Sequence, residues 1–386
     1  MEHAVQVGIA KKFIKYLETD TTAMAPSLYR NPVRQYTCLD RLVREKAALF
    51  HHYPLHLGFS CEMPDPGDFK TDNFSGVPIL LVRGADGNVG AFLNVCRHRG
   101  APVAEGCGKG QRAFTCPYHA WVYGTDGSLQ YIPGEAGFEA LDNADHGLRR
   151  LPVQEKYGMI WAKTAPGPGF EIDDTLQGVA RDLASYGFEN FHHFETAELR
   201  SKMNWKLVID TFLESYHIKV LHHASIASLI ESNIQTFDSF GLNHRGIYVR
   251  KNFDELRAQP ESDWNILPYT TMVYVLFPNT VLVVQQQQIE TWRVYPDGDD
   301  PNRAKMHLSL YAPEAPATES AVRHWRNNMD LLKRVVNEED FTLGEKMQMG
   351  FHSPAQEHVT FGRNEPSLAH FHGSLDSALG LRAAAE

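Results

Sequence analysis

The spacing of apolar and polar positions changes character along the chain. In the first fifty residues Leu39, Leu42, Val43 and Leu49 recur at helical spacing before a break at His51 to Pro54. From residue 54 to about 163 the pattern shortens into β-rich runs at 77–83, 89–95, 113–116 and 158–162, punctuated by the turn dipeptides Pro66-Gly67, Asp86-Gly87 and Asp126-Gly127. This predicts a small all-β domain. A Pro- and Gly-rich stretch at 165–169 marks a boundary, and helical sequence follows at 174–186 and through 205–229. The runs 234–251, 269–277, 280–295 and 304–311, rich in Val, Thr and aromatics, predict an antiparallel sheet in which the glutamines 285–288 continue a strand. Residues 319–348 return to helical spacing on Val322, Trp325, Met329, Leu332 and Val336. The expected class is α+β, and 386 residues allow two domains.

Composition narrows the function. Hydrophobic residues at 43% and charged residues at 22% describe a folded globular chain. A net charge of -10, from 37 Lys+Arg against 47 Asp+Glu, repels phosphate backbones and anionic membranes, so neither nucleic acid nor a membrane is an expected partner. The opening residues form too short and too charged an apolar stretch for a secretory signal, and no segment reaches the ~20 apolar residues of a membrane span. Five cysteines, an odd number thinly spread, are not a disulfide framework. A cytoplasmic enzyme is the default expectation.

Two cysteines stand apart by spacing. Cys96-Arg-His98 and Cys116-Pro-Tyr-His119 form C-x-H and C-x-x-H pairs. Two thiolates and two imidazoles are the ligand set of a Rieske [2Fe–2S] centre, in which one iron takes the cysteines and the other the histidines. A Cys₂His₂ zinc site usually pairs cysteine with cysteine and histidine with histidine, which these loops do not do. Cys38, Cys61 and Cys107 lack comparable partners.

The segments Asn94 to Ala101 and Cys116 to Trp121 resemble the cluster loops of ring-hydroxylating oxygenase large subunits, the Rieske non-heme iron oxygenases. Respiratory Rieske proteins add a disulfide cysteine to each loop, whereas Ala101 and Tyr118 stand at those places here. The resemblance is strongest at 54–165, 204–222 and 336–372. It implies a Rieske domain at 54–165 and a catalytic domain, an antiparallel sheet flanked by helices, made from 1–53 and 166–386.

Oxygenation also needs a metal with open coordination positions, for which two histidines and a carboxylate are the common non-heme Fe(II) set. His217 and His222 are candidates, with His223 an alternative to the second. A five-residue offset turns about 140° around a helix, so both can reach one metal only if the helix ends or distorts there. Glu338, Glu339, Asp340 and Glu345 offer carboxylates on what spacing alone reads as a solvated helix face. The family pattern selects His217, His222 and Asp340 as ligands of the mononuclear Fe(II). It also implies that Glu214 bridges His217 and a cluster histidine, His119 of the partner subunit, within a homotrimer. The pair His370 and His372 in the C-terminal segment has no derived role.

Neither G-x-G-x-x-G nor a P-loop sequence is present; Gly106 to Gly110, the nearest approach, lies in a β context. NAD(P)H must then be oxidised by a separate reductase, acting directly or through a ferredoxin, with dioxygen and a small organic molecule as substrates. The cluster loops and C-terminal segment look most like aromatic-ring hydroxylating subunits, which makes aromatic hydrocarbon hydroxylation the leading expectation. Glu214 points elsewhere, because many aromatic dioxygenases resemble this segment with Asp, whereas Glu is familiar in relatives that oxidise quaternary amines such as carnitine or choline. A cation pocket there would need aromatic rings or carboxylates, for which Trp205, Tyr216 and Trp292 are available. The non-enzymatic alternative is an electron carrier that uses the cluster alone.

Overall fold

The computed structural model describes residues 1–381, which form two compact units, 50–174 with 188–190 and the remainder of the chain. The units divide near 49/50 and 174/175, outside the expected breaks at 53/54 and 165/166. Two ties explain the shift. Thr164 Oγ1 donates to the Phe50 carbonyl at 2.9 Å, and Lys156 pairs with Glu171 and Asp173 at 2.9 and 2.7 Å, so both flanks stay with the β-rich unit.

The smaller unit holds three antiparallel sheets. The largest has the order Arg150–Leu151, Val89–Leu93, Ile79–Arg83, Phe69–Asp72, Cys107–Gly108. A second joins Val153–Lys156, Met159–Ala162 and Leu55–Phe59, and a third joins Ala113–Thr115, Val122–Gly124 and Leu129–Tyr131. Phe69, Leu80, Val82, Phe92, Phe114 and Trp121 form a core in which Cys96 and Cys116 are also buried.

The larger unit is built on one seven-stranded antiparallel sheet, in spatial order His192–Ser201, Ala304–Ala312, Ile289–Pro296, Thr280–Val284, Thr270–Leu276, Asn243–Arg250, Ile230–Phe240. Helices His3–Thr19, Glu319–Val335, Thr342–Phe351 and Pro366–Ala378 accompany it, so the α+β expectation holds. No described helix is long and apolar enough to cross a membrane.

Three local expectations change. Gln285–Gln288 does not continue a strand. Val284 and Ile289 pair directly across adjacent antiparallel strands, so the four glutamines reverse the chain, closed by Gln285 N–H donating to the Gln288 carbonyl at 3.0 Å. The helix expected through 205–229 stops at Asp210 and resumes for one turn at Ile218–Leu221. The Glu214 carboxylate takes the backbone N–H groups of Tyr216 and His217, a local competitor that unseats helical pairing. In the mainly helical N-terminal stretch, Tyr29–Pro32 is a strand paired with His358–Phe361.

Candidate metal centres

The two cluster loops share one backbone design. Cys96 N–H donates to the Ala101 carbonyl at 2.8 Å and Gly100 N–H returns to the Cys96 carbonyl at 2.9 Å. In the second loop Cys116 N–H donates to Trp121 at 2.8 Å, and Ala120 N–H to Cys116 at 3.0 Å. The fourth residue after each cysteine is left-handed, Gly100 at φ 82° and Ala120 at φ 55°. Asn94 fixes the first loop further. Its side chain donates to the Ala104 carbonyl at 2.8 Å and accepts from Val103 N–H at 2.9 Å.

These loops bring together all four residues expected at the cluster. Cys96 and Cys116 are buried, and the His98 and His119 rings lie 4.6 Å apart between centroids. Trp121 stacks on His98 at 5.0 Å. The Nδ1 atoms of both histidines are buried and make no hydrogen bond among the described residues. Two buried thiols and two otherwise unpartnered imidazole nitrogens fit a [2Fe–2S] Rieske centre. Sequence reading missed Tyr123, whose hydroxyl lies 3.2 Å from Cys96 Sγ and accepts Arg97 N–H at 2.9 Å. Burial pushes its phenol pKa up, so the hydroxyl stays protonated and can donate to sulfur.

In the larger unit His217, His222 and Asp340 each direct one donor atom into a common space, all within 4.8 Å of one another. His217 Nε2 is 3.2 Å from His222 Nε2, and the Asp340 carboxylate is 3.4 Å from His222 Nε2 and 3.8 Å from His217 Nε2. Metal bonds of about 2.1 Å subtending 90° to 120° place donors roughly 3.0–3.6 Å apart, close to these spacings. Behind each ring stands another carboxylate. His217 Nδ1 donates to Glu214, and His222 Nδ1 donates to Glu339, which also accepts from Ser225 Oγ at 2.7 Å. With both Nδ1 protons donated outward, both Nε2 lone pairs face Asp340, a donor set that a divalent cation satisfies.

Two departures from regular helix make this possible. His217 and His222 cap the two ends of the single turn Ile218–Leu221, so the 140° offset of an ideal helix never arises. Asp340 sits in the π-helical segment Val336–Phe341, where the widened turn carries it into a buried position. The alternatives lie elsewhere: His223 is exposed, Glu338 is exposed, and Glu345 accepts the Lys202 N–H at 2.8 Å. His372 is buried against Asp210 at 2.9 Å and Tyr36 at 3.0 Å, and His370 packs beside His244.

A cavity of about 510 Å³ opens beside the three donors. Tyr248, Thr271, Val273, Val283 and Trp292 line it from one sheet face, as the registers Tyr248↔Thr271, Val273↔Val283 and Val281↔Trp292 require. Of the aromatic residues singled out for a cation pocket, Trp292 lines this cavity, with Phe212 against it at 5.0 Å. Trp205 is instead buried with its indole N–H on Glu45, and Tyr216 is exposed.

Comparison with known proteins matches residues 188–380 to the ring hydroxylating alpha subunit catalytic domain and residues 54–148 to the Rieske [2Fe–2S] domain. The glycine betaine monooxygenase oxygenase subunit of Pseudomonas aeruginosa (strain UCBPP-PA14) is 36% identical over 200 residues, 51% of this chain and 46% of that protein. The match thus spans about half the length of that relative. The carnitine monooxygenase oxygenase subunit of Escherichia coli (strain K12) is 24% identical over 355 residues, 89% of this chain and 92% of that one. Among solved structures, a quaternary ammonium Rieske monooxygenase, reported for carnitine oxidation by gut microbiota and inter-subunit electron transfer, superposes with a TM-score of 0.79 at 22% identity, covering 92% of this chain and 96% of that one.

Two outcomes follow from this geometry. His217→Ala should cost roughly one iron per chain while leaving the electron paramagnetic resonance signal of the reduced cluster intact, and Cys116→Ser should abolish that signal; loss of the cluster signal in His217→Ala would contradict separate sites. Tyr123→Phe removes a donor to sulfur that stabilises the reduced cluster more than the oxidised one. It should lower the reduction potential by roughly tens of millivolts, measured by redox titration of that same signal.

Proposed function

This chain belongs to the family of Rieske oxygenase alpha subunits, with a Rieske [2Fe–2S] domain and a catalytic domain of the mononuclear-iron type, and from that premise we propose that it is the terminal oxygenase of a quaternary-amine or N-methyl-amine monooxygenase. The observation that carries the oxygenase reading is the convergence of His217, His222 and Asp340 beside a cavity large enough for a small organic molecule. A cluster-only electron carrier has no use for that arrangement. The aromatic-hydrocarbon expectation is the weaker substrate reading, since the relatives described above are named for glycine betaine and carnitine. Glu214 and the Trp292–Phe212 pair support an amine.

Cys96, His98, Cys116 and His119 hold the cluster in this proposal, and His217, His222 and Asp340 hold the iron. When bound, the cluster supplies single electrons and the mononuclear iron supplies open positions for dioxygen. Glu214 and Glu339 fix the two imidazoles with Nε2 turned inward, and Trp292 and Phe212 exclude water from the apolar end of the substrate. One oxygen atom enters a C–H bond beside the nitrogen and the other leaves as water, using two electrons from a separate NAD(P)H reductase and two protons. The hydroxylated carbon then leaves as an aldehyde, the nitrogen keeping the bonding pair and the hydroxyl proton being released. In the trimer expected of the family, Glu214 connects the partner subunit's His119 to His217.

Product analysis tests the substrate reading. With a compatible reductase, glycine betaine, carnitine or choline should yield an aldehyde and the shortened amine, while benzoate-type aromatic acids remain unchanged. Hydroxylated aromatics from the second set, with no amine turnover, would restore the aromatic reading. Glu214→Gln tests the bridge: both metals should stay bound while cluster oxidation in a single turnover slows at least about tenfold, the scale of loss when a group hydrogen-bonded to a metal-binding histidine is changed. A wild-type rate with both sites filled would remove Glu214 from the electron path.

A further inference from the structure

Glu290 is an acid in a place that disfavours acids. It lies on the strand Ile289–Pro296, pairs across the sheet with Val283 and Leu310, and is 3% exposed. Its side chain nevertheless lines the same cavity as His217, His222, Asp340, Phe212 and Trp292. Alternation explains the placement, because Glu290 and Trp292 are two residues apart and so share a sheet face.

The partners of Glu290 are all neutral. Oε1 accepts from Gln288 Nε2 at 2.8 Å and from Gln285 Nε2 at 3.1 Å. The only donor to Oε2 among the described residues is Trp292 Nε1 at 3.4 Å, beyond the usual 2.7–3.2 Å range. Arg250 lines the cavity too, yet no hydrogen bond or ion pair among the described residues joins any cation to Glu290. One carboxylate oxygen is thus satisfied and the other is nearly free. Burial pushes the carboxyl up to about 7, against the three N–H groups that favour its charge. A buried carboxylate without a countercharge costs stability that a bound cation restores.

We propose that the Glu290 carboxylate receives the positive charge of the substrate, holding a quaternary or protonated amine against the Trp292 and Phe212 rings. The inference rests on the amine reading above and adds the residue that makes the choice. An aromatic wall alone attracts a cation and also accepts a neutral molecule of the same shape. The carboxylate separates the two. The competing role is structural, since Gln285 and Gln288 flank the hairpin turn that Glu290 could simply brace.

Matched ligands distinguish these roles. Choline and glycine betaine are each compared with a carbon isostere in which a tert-butyl group replaces trimethylammonium, and binding to the iron-loaded full chain is measured by calorimetry. Wild type should prefer both cations over their isosteres. Glu290→Gln should lose about thirtyfold in cation affinity, as expected when one partner of a buried charge pair is removed, and bind the isosteres as before. Glu290→Asp keeps the charge but shifts the brace, so it should retain the preference; it also decides the matter if the Gln variant fails to fold. An unchanged preference in Glu290→Gln, or a lost preference in folded Glu290→Asp, overturns the assignment and leaves the amine reading standing. No preference in wild type for either cation overturns the amine reading and this inference with it.

Discussion

His217 and His222 face each other through Nε2 atoms 3.2 Å apart because a carboxylate stands behind each ring. Glu214 and Glu339 take the outward protons, which fixes the tautomers and turns the lone pairs toward Asp340. Without those two acceptors either ring could flip and present a proton, and the three donors would no longer point at one space. The backbone yields to this requirement at both contributing segments. Glu214 breaks the helix before His217 by capturing two backbone N–H groups, and the π-helical turn at Val336–Phe341 brings Glu339 to Nδ1 and Asp340 to Nε2 of the His222 ring.

Those irregular segments need a rigid base, and buried charge supplies it. Asn204 caps the helix Trp205–Asp210, accepting from Lys206 N–H at 3.0 Å and donating to the Tyr36 and Pro301 carbonyls at 3.0 and 2.8 Å. Trp205 and Lys206 both bind one oxygen of the buried Glu45, at 2.9 and 2.8 Å, while Arg41 takes the other at 2.8 Å. At the far end of the helix Asp210 accepts from Tyr36 at 2.6 Å and meets His372 at 2.9 Å. Networks of this kind add little net stability over an apolar core, but removal of one member strands the rest. They therefore allow one helix orientation, four residues upstream of Glu214.

The sequence spelled out the parts whose chemistry is local. The C-x-H and C-x-x-H pairs announce the cluster because thiol and imidazole together at turn spacing have few other uses, and the helical and strand periods mark most elements. What stayed hidden depends on residues far apart in the chain. Nothing near Glu45 signals that it serves Trp205 and Lys206, and nothing near Tyr123 signals a contact with Cys96. The choice of Asp340 over Glu339 came from family pattern, since on a regular helix the two acids are equivalent until the π turn separates their roles. The glutamine run was misread for a similar reason: four identical polar residues carry no period, and only the pairing of Val284 with Ile289 shows that they turn.

That turn also separates the parts of the cavity wall held by strand pairing from those that are not. The donors proposed for iron come from two irregular helical segments, linked by the His222–Glu339 contact and resting on the buried charges beneath. The opposite wall of the cavity comes from the sheet, where Val273 and Val283 are locked by ladder pairing on both sides. Beyond them the strands Thr280–Val284 and Ile289–Pro296 end in a hairpin turn whose side chains are free of the ladder. Changes there alter what the cavity touches without shifting register, because the turn lies outside the paired residues. Gln285 and Gln288 can thus be changed without shifting the paired strand that carries Glu290 and Trp292, although both glutamines donate to Glu290.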